Sequence, residues 1–436
     1  MPKRLLPFKV SKTNDEITAH SGLALYAEIV KGLGVGELAN QYFPKPGSQK
    51  GYQPSQYVEP IVLLFLLGGT YMEDVRKLSM DRALGRICEW GKLPSSDGIG
   101  NYLKMHVDEK KSGLERLHKT MHKKFLKEAS LKNHTLDIDA FSIFANKDSA
   151  QMTYKGEKGY MPIVGHLSEL DWCIGYEFRE GNVSPNSRIF PFLETCFANL
   201  PKGHRIKQVR MDGAGYQSEV FNVLDKGNIK FTITGCKNTD MMREIRLIGK
   251  ADWRPFKDKN GFTTNREIAE GFAQMGETDY FRIVIQRWAN PSPDLFETSD
   301  GYCYHVICTN YAEKEKSSEE IVYWHNGRAA SELYHRELKT GFNLHYLPCD
   351  HTGANSLWFG LGILAYNIHI FARTFFLPHK CSRMGIQRLR FEWIQLAGKV
   401  VSHARHLQLK LSGISDDMLA AIHRFRERSR RMFCNV

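Results

Sequence analysis

The chain has 436 residues, 42% hydrophobic and 25% charged, which excludes a disordered or fibrous protein and predicts two or three structural units. Its formal net charge of +12 favours a polyanionic partner. Nine cysteines without a CxxC pair or regular spacing exclude a zinc ribbon and a disulfide framework, and fit a reducing cytosol.

The charge is uneven along the chain. Residues 1–132 hold 21 Lys and Arg against 14 Asp and Glu, and residues 378–436 hold 12 against 4, so the middle is near neutral. Basic flanks around a carboxylate-rich centre suit ends that grip phosphates and a core that binds metal. The opening residues MPKRLLPFKV carry charge but no apolar run or cleavage site, so no signal peptide is expected. Ile61–Leu67 is too short to span a bilayer, and Leu357–Leu377 contains Asn367, His369 and Arg373; both read as buried helices.

Residues 20–130 show helical spacing interrupted by turns at Pro44–Gly47 and Pro94–Asp97, which predicts a helical N-terminal domain. The second turn leads into a capped helix, a candidate for the second helix of a helix-turn-helix. From about 133 the texture becomes β. Runs at Thr135–Asp139, Pro162–Leu167 and Trp172–Arg179 predict an antiparallel meander. A helix at about 188–199, a strand Ile206–Met211, a helix at about 217–225 and a strand Ile229–Thr234 complete the order βββαβαβ. Residues 237–320 return to strands, notably Tyr280–Trp288 and Tyr302–Thr309, with turns at Asn260-Gly261 and Asn290-Pro291. Helical character resumes near 318 and runs, with a break near Pro378, to the Arg-rich stretch Arg424–Arg431.

Phosphodiester chemistry needs divalent ions held by carboxylate oxygens gathered from distant segments. Asp139 ends the first strand, where an acid in an apolar run is costly without a partner. Alternation puts Asp137 on the same face, so Asp137 stays open as the alternate ligand. Asp212 closes the strand Val209–Asp212 just before a glycine turn, a place where ligands are presented. Glu332 lies in a helical stretch in which Arg328, His335 and Lys339 share its face. The plain alternatives are an edge strand for Asp137 and Asp139, an Asp-Gly turn for Asp212 and an exposed ion-paired helix for Glu332. His345, Cys349 and His351 form a local group better read as loop residues than as a metal site.

The spacing Arg328, three residues, Glu332, six residues, Lys339 resembles the Tyr-Arg-Glu-Lys signature of the DDE insertion-sequence transposases, which include bacterial cut-and-paste elements. Leu136–Ala140, Arg179–Val183, Val209–Tyr216 and Asn355–Asn367 resemble that family's other blocks in the same order. The signature's tyrosine falls on His325, with Tyr323 two positions earlier.

The resemblance implies an α/β fold with an RNase H-like catalytic core. It divides the chain into a helical N-terminal DNA-binding domain (1–132), the first part of the core (133–236) and a β-rich insertion (237–320). The catalytic Glu helix with its following helix (321–377) and a basic helical C-terminal region (378–436) complete it. It implies that Asp139, Asp212 and Glu332 hold two Mg²⁺ ions, with Mn²⁺ as a substitute, and that Arg328, Lys339, His325, Tyr323 and Arg336 contact DNA. Trp288 is a candidate to stack on a flipped base, against the plainer role of core packing. The implied partners are double-stranded DNA, as terminal repeats and as target, and a second copy of the chain on paired ends, in the bacterial cytoplasm at the nucleoid and without a membrane. Water would nick an end, the freed 3′-hydroxyl would form a hairpin, and the reopened end would join target DNA. Two readings stand beside this one: a nuclease or resolvase on the same core without strand transfer, and a non-catalytic DNA-binding protein derived from a transposase.

Overall fold

The computed structural model describes residues 6, 8–47, 51–290, 301–404 and 406–434. They fall into two units. One comprises residues 42–44 and 103–370, the other residues 1–41, 45–102 and 371–436.

The larger unit is built on one mixed sheet of nine strands. In chain order these are β1 (Asn133–Ala140), β2 (Ile163–Leu167), β3 (Trp172–Glu177), β4 (Arg205–Met211) and β5 (Lys230–Thr234). There follow β6 (Arg254–Lys257), β7 (Thr263–Ala273), β8 (Phe281–Ala289) and β9 (Tyr302–Thr309). Across the sheet the order is β6-β7-β8-β9-β5-β4-β1-β2-β3. Strands β1, β4 and β5 are mutually parallel, while β2 is antiparallel to both β1 and β3. Helices Ile189–Ala198 and Ser218–Lys226 carry the chain from β3 to β4 and from β4 to β5. The insertion does not make a sheet of its own. Its strands β6 to β9 are antiparallel and extend the first sheet through β9 on β5, where Ile307 faces Thr234. The turn read at Asn260-Gly261 joins β6 to β7: Asp258 accepts the amides of Asn260 and Phe262, both at 2.9 Å, and Gly261 has φ +85°. The proline of Asn290-Pro291 lies outside the described residues.

Helices cover the sheet where its strands are apolar. Ile321 and Val322 of helix Ser318–Asn326 pack on Ile268, Val284 and Ile307. Near the β3 edge, Phe125 of helix Val107–Glu128 stacks on Trp172 with ring centroids 3.9 Å apart. The Trp172 indole donates to His122 Nδ1 at 3.0 Å, and His118 Nε2 donates to the Gly360 carbonyl at 3.0 Å. Asn367 satisfies both backbone groups of Cys173, accepting its amide at 3.1 Å and donating to its carbonyl at 2.9 Å. An edge strand otherwise leaves such groups open.

One buried charge ties these layers. Arg210 of β4 stands opposite Asp137 of β1, and its Nε and Nη2 donate to the two carboxylate oxygens at 2.7 Å each. Nη2 also donates to Ser168 Oγ at 2.8 Å, and Nη1 to the Trp324 carbonyl at 3.1 Å.

In the smaller unit, helices Leu23–Gly32, Ser55–Leu67 and Asp416–Phe433 surround an apolar centre, and Pro60 to Leu66 are buried without a break. Ser95 accepts the Gly98 amide at 3.2 Å where the capped helix start was expected. The C-terminal region is not wholly helical as expected. Gly398–His403 and His406–Leu411 form a hairpin, and Ile17–Thr18 adds a third strand to it. The alternation of His406, Gln408 and Lys410 with Leu407, Leu409 and Leu411 is the physical reason, being a strand period between helical segments. The units also cut the chain differently from the sequence boundaries. Helix Val107–Glu128 falls with the sheet, and residues 371–436 fall with the N-terminal ones. Among the described residues no helix is long and apolar enough to cross a membrane.

Two predictions follow from this packing. His118, His166 and His325 are buried, and burial lowers their pKa values to about 4, 3 and 3 from the ordinary 6.5. The unfolded chain therefore binds more protons in that window, so their contribution is complete above about pH 6.5 and is lost as pH falls toward about 3. At about pH 5 each contributes roughly 2 kcal/mol less than at neutrality. The urea midpoint should drop clearly between neutral pH and pH ~5, and an unchanged midpoint would contradict neutral burial. Separately, Asp137→Leu should cost about 3–5 kcal/mol by leaving Arg210 buried and unpaired. Asp137→Leu with Arg210→Met should recover much of that loss. A double variant no more stable than the single one would mean that the pair is not the source of the loss.

Candidate active site

The parallel register of β1 and β4 decides where the acids go. Ile138 faces Met211, so Asp139, next in β1, and Asp212, just past β4, stand side by side. Asp212 caps the short turn Gly213–Gly215, accepting the Ala214 amide at 3.0 Å. Burial raises the Asp212 pKa and the neighbouring Asp139 charge raises it further, against the pull of the Ala214 amide, Arg328 and His335.

Cations close in from the other side. Arg328 Nη1 donates to Asp139 Oδ2 at 3.0 Å. Lys339 is half-buried with its Nζ 5.0 Å from the centre of the Phe141 ring, and its pKa is lowered by burial while Asp139 raises it. His335 packs its ring against Phe141 at 4.7 Å, and its Nε2 is buried without a hydrogen-bond partner among the described residues. Burial, then Lys339 and Arg328, lower its pKa to about 4, while Glu332 and Asp212 oppose that shift. His335 is therefore neutral at neutral pH and lies within electrostatic reach of both acids.

The signature segment changes its winding three times, with a 3₁₀ turn at Gly327–Ala329, α-helix at Ala330–Arg336 and π-helix at Glu337–Gly341. Arg210 fixes its start through the Trp324 carbonyl, and Gly327 is a glycine for that reason. A Cβ there would come within 2.5 Å of Arg210 Nη1. Tyr334 fixes its middle, donating to the Ser168 carbonyl at 3.1 Å and stacking on His166 at 4.5 Å.

The structure thus brings Asp139, Asp212 and Arg328 together, with Lys339 within electrostatic reach of Asp139. It does not bring Glu332 into that group. With Tyr334 turned into the sheet, Glu332 is exposed, and among the described residues no three His, Cys, Asp or Glu side chains stand close enough to hold a metal ion. Asp137, the alternate ligand, is 2% exposed and committed to Arg210. His325, expected to contact DNA, takes an internal place instead. It is 3% exposed, with Nδ1 3.1 Å from Thr232 Oγ1 and Nε2 3.0 Å from Thr234 Oγ1, so it anchors its helix to β5. Tyr323 is half-buried beside Phe256 and donates to the Lys257 carbonyl at 2.6 Å. Arg336 is exposed. Trp288 is half-buried on β8 with the Arg266 guanidinium 4.5 Å from its ring centre. His345 and His351 are spent on local backbone contacts, with the Lys339 carbonyl and the Ala354 amide.

Sequence reasoning missed the work of Arg210 and His335. His335 was visible as a face neighbour of Glu332, but its burial depends on packing against Phe141 that no local pattern announces.

A family model described as transposase DDE domain group 1 matches residues 4–426. No curated protein matches the chain. Among solved structures, the chain is similar to the cryo-EM structure of the piggyBac transposase synaptic complex with hairpin DNA, at 11% identity and a TM-score of 0.42. That likeness covers 95% of this chain and 79% of that one, and is too distant to decide fold or activity. The family match spans nearly the whole length, and the chain belongs to the transposase DDE domain family, group 1.

Proposed function

We propose that this chain is a metal-dependent DNA transposase that cleaves element ends and joins them to target DNA, using Asp139, Asp212 and Glu332 on an RNase H-like core. The observation that carries the reading is the ion pair of Arg328, the first cation of the signature, with Asp139 beside Asp212, with Lys339, the second, within electrostatic reach of Asp139. The strand order β3-β2-β1-β4-β5, with β2 alone reversed, supports the RNase H-like core. Glu332 is included because it sits between Arg328 and Lys339 in the signature and because His335 feels both it and Asp212.

The adjacent carboxylates of Asp139 and Asp212 suit a divalent ion such as Mg²⁺, with Mn²⁺ as a substitute, since hard ions take carboxylate oxygens and a buried acid beside a second acid is relieved by a cation; a two-ion site requires Glu332 to join them from its exposed position. When bound, such ions raise the reactivity of the attacking oxygen and stabilise the leaving one. In this reading Asp137 is a positioning residue, because both of its oxygens are held by Arg210.

The chain's own groups do the rest. Arg328 and Lys339 hold oxygens of the scissile phosphate and offset charge that grows there. Neutral His335, packed on Phe141 and within electrostatic reach of Glu332 and Asp212, acts as a positioning residue. Exposed Arg336 contacts the DNA backbone, and Trp288 with Arg266 offers a stacking surface for a displaced base. Hydrolysis consumes one water and frees a 3′-hydroxyl. That hydroxyl then exchanges one phosphodiester for another on the opposite strand, giving a hairpin. A second water opens the hairpin, and the 3′-hydroxyl makes a like exchange with target DNA. A homodimer on paired ends, with the basic flanks 1–132 and 378–436 gripping DNA at the bacterial nucleoid, completes the proposal.

Glu332→Gln, Asp139→Asn and Asp212→Asn, each checked for folding, should lower Mg²⁺-dependent cleavage of the element's own ends by more than about 100-fold. Second-shell changes around metals already cost about 10–100-fold. Wild-type cleavage by Glu332→Gln would falsify its assignment. A strand-joining assay on pre-cleaved ends carrying a 3′-hydroxyl should give joined product. Cleavage without joining would instead favour a nuclease or resolvase, and binding without cleavage under any divalent ion a non-catalytic DNA-binding protein.

A further inference from the structure

Between β1 and β2 the chain leaves the main sheet and builds a small three-stranded one from Ile143–Phe144, Gln151–Met152 and Lys158–Tyr160. It begins directly after Asp139, and Phe141 at its root lies under Lys339 and against His335. This places the root of the small sheet at the candidate active site.

The root is firmly held. Tyr160 hydroxyl lies 2.9 Å from Ser149 Oγ and accepts from Asn355 Nδ2 at 3.3 Å, and Asp350 accepts the Ser149 amide at 3.2 Å. Arg179 donates to the Met161 carbonyl at 2.8 Å. Gly181 lets the backbones meet, because a Cβ there would lie 2.3 Å from the Gln151 carbonyl oxygen and 2.4 Å from that of Gly159. The Arg179–Val183 block of the sequence thus acts as a clamp on this element.

The tip is ordered but uncovered. Thr153 donates its amide to the Glu157 carbonyl at 2.8 Å, Gly156 donates to the Thr153 carbonyl at 3.0 Å, and Gly156 has φ +77°. On this rigid turn Tyr154 is 66% exposed, with Lys155 Nζ 5.6 Å from its ring centre, and Phe144 and Met152 are exposed beside it. Lys155 lies within electrostatic reach of Lys339 and adds to the burial that lowers the Lys339 pKa.

We propose that this hairpin is a DNA-contacting finger: Lys155 binds a backbone phosphate of the strand that enters the site, and Tyr154 stacks on the adjacent base. The inference rests on the transposase reading and adds to it a contact outside the signature. A paired cation and aromatic ring on a hairpin rooted at the candidate active site has the chemistry for this, because stacking tolerates any base and the phosphate contact tolerates any sequence.

The test is equilibrium binding of full-length protein to an end-labelled duplex carrying a single-stranded 3′ overhang, over a range of salt, with thermal melting as the fold control. For Lys155→Ala the slope of log affinity against log salt should fall by about 0.9, the loss of one phosphate contact, with affinity several-fold weaker. Lys155→Arg should restore the slope. Tyr154→Ala should weaken binding with the slope unchanged, a division that a merely structural role would not produce. If wild type binds with a salt slope and both alanine variants match it, the finger is wrong while the transposase reading stands. If wild type shows no salt-dependent binding to DNA at all, both fall.

Discussion

A guanidinium buried between two apolar residues of a strand has to find its partners inside the protein, because no water is available to it. Arg210 meets that demand with Asp137, Ser168 and the Trp324 carbonyl, and its charge lies 4.9 Å from the centre of the Trp324 ring. Each partner belongs to a different part of the larger unit. Asp137 sets β1 and β4 in register, which leaves Asp139 and Asp212 adjacent at the strand ends. Trp324 lies four residues before Arg328, so the same guanidinium fixes where the signature segment begins. The carboxylates and the cation that answers them are thus referred to one anchor that takes no part in the chemistry proposed.

That arrangement explains why the middle of the chain can be near neutral and still hold a strong local field. Asp139 and Asp212 repel, Arg328 and Lys339 offset them, and burial magnifies every term because fewer waters screen it. His335 stays neutral inside this field through burial and the two nearby cations. The site is tuned by opposed charges at short range, and bulk charge counts say nothing of it.

Much of this was legible in the sequence and some was not, for identifiable reasons. Strands β1 to β5 and their helices were readable because apolar runs ended at turns, and the order of Asp139, Asp212 and Glu332 followed. The Arg210–Asp137 pair was not, since the partners stand 73 positions apart and only the strand register joins them. His325 read as the stand-in for a DNA-contacting tyrosine because spacing alone was visible, whereas its two threonine partners come from β5, some ninety residues earlier. Glu332 was read as a ligand from spacing alone, whereas in the fold it is exposed while its neighbour Tyr334 turns toward His166, a tertiary choice. The terminal hairpin was missed because its alternation is short and basic and lies among helical segments.

The smaller unit has a consequence for how the protein is made. Ile17 and Thr18 pair with Lys399 and Gly398, and the Leu66 and Phe65 carbonyls accept from Arg390. At roughly 5–20 residues per second of translation, the early half of this unit waits tens of seconds for its complement to leave the ribosome. Closing so long a loop also slows folding. A nascent chain therefore carries no finished smaller unit until Arg390, Gly398 and Lys399 have left the ribosome.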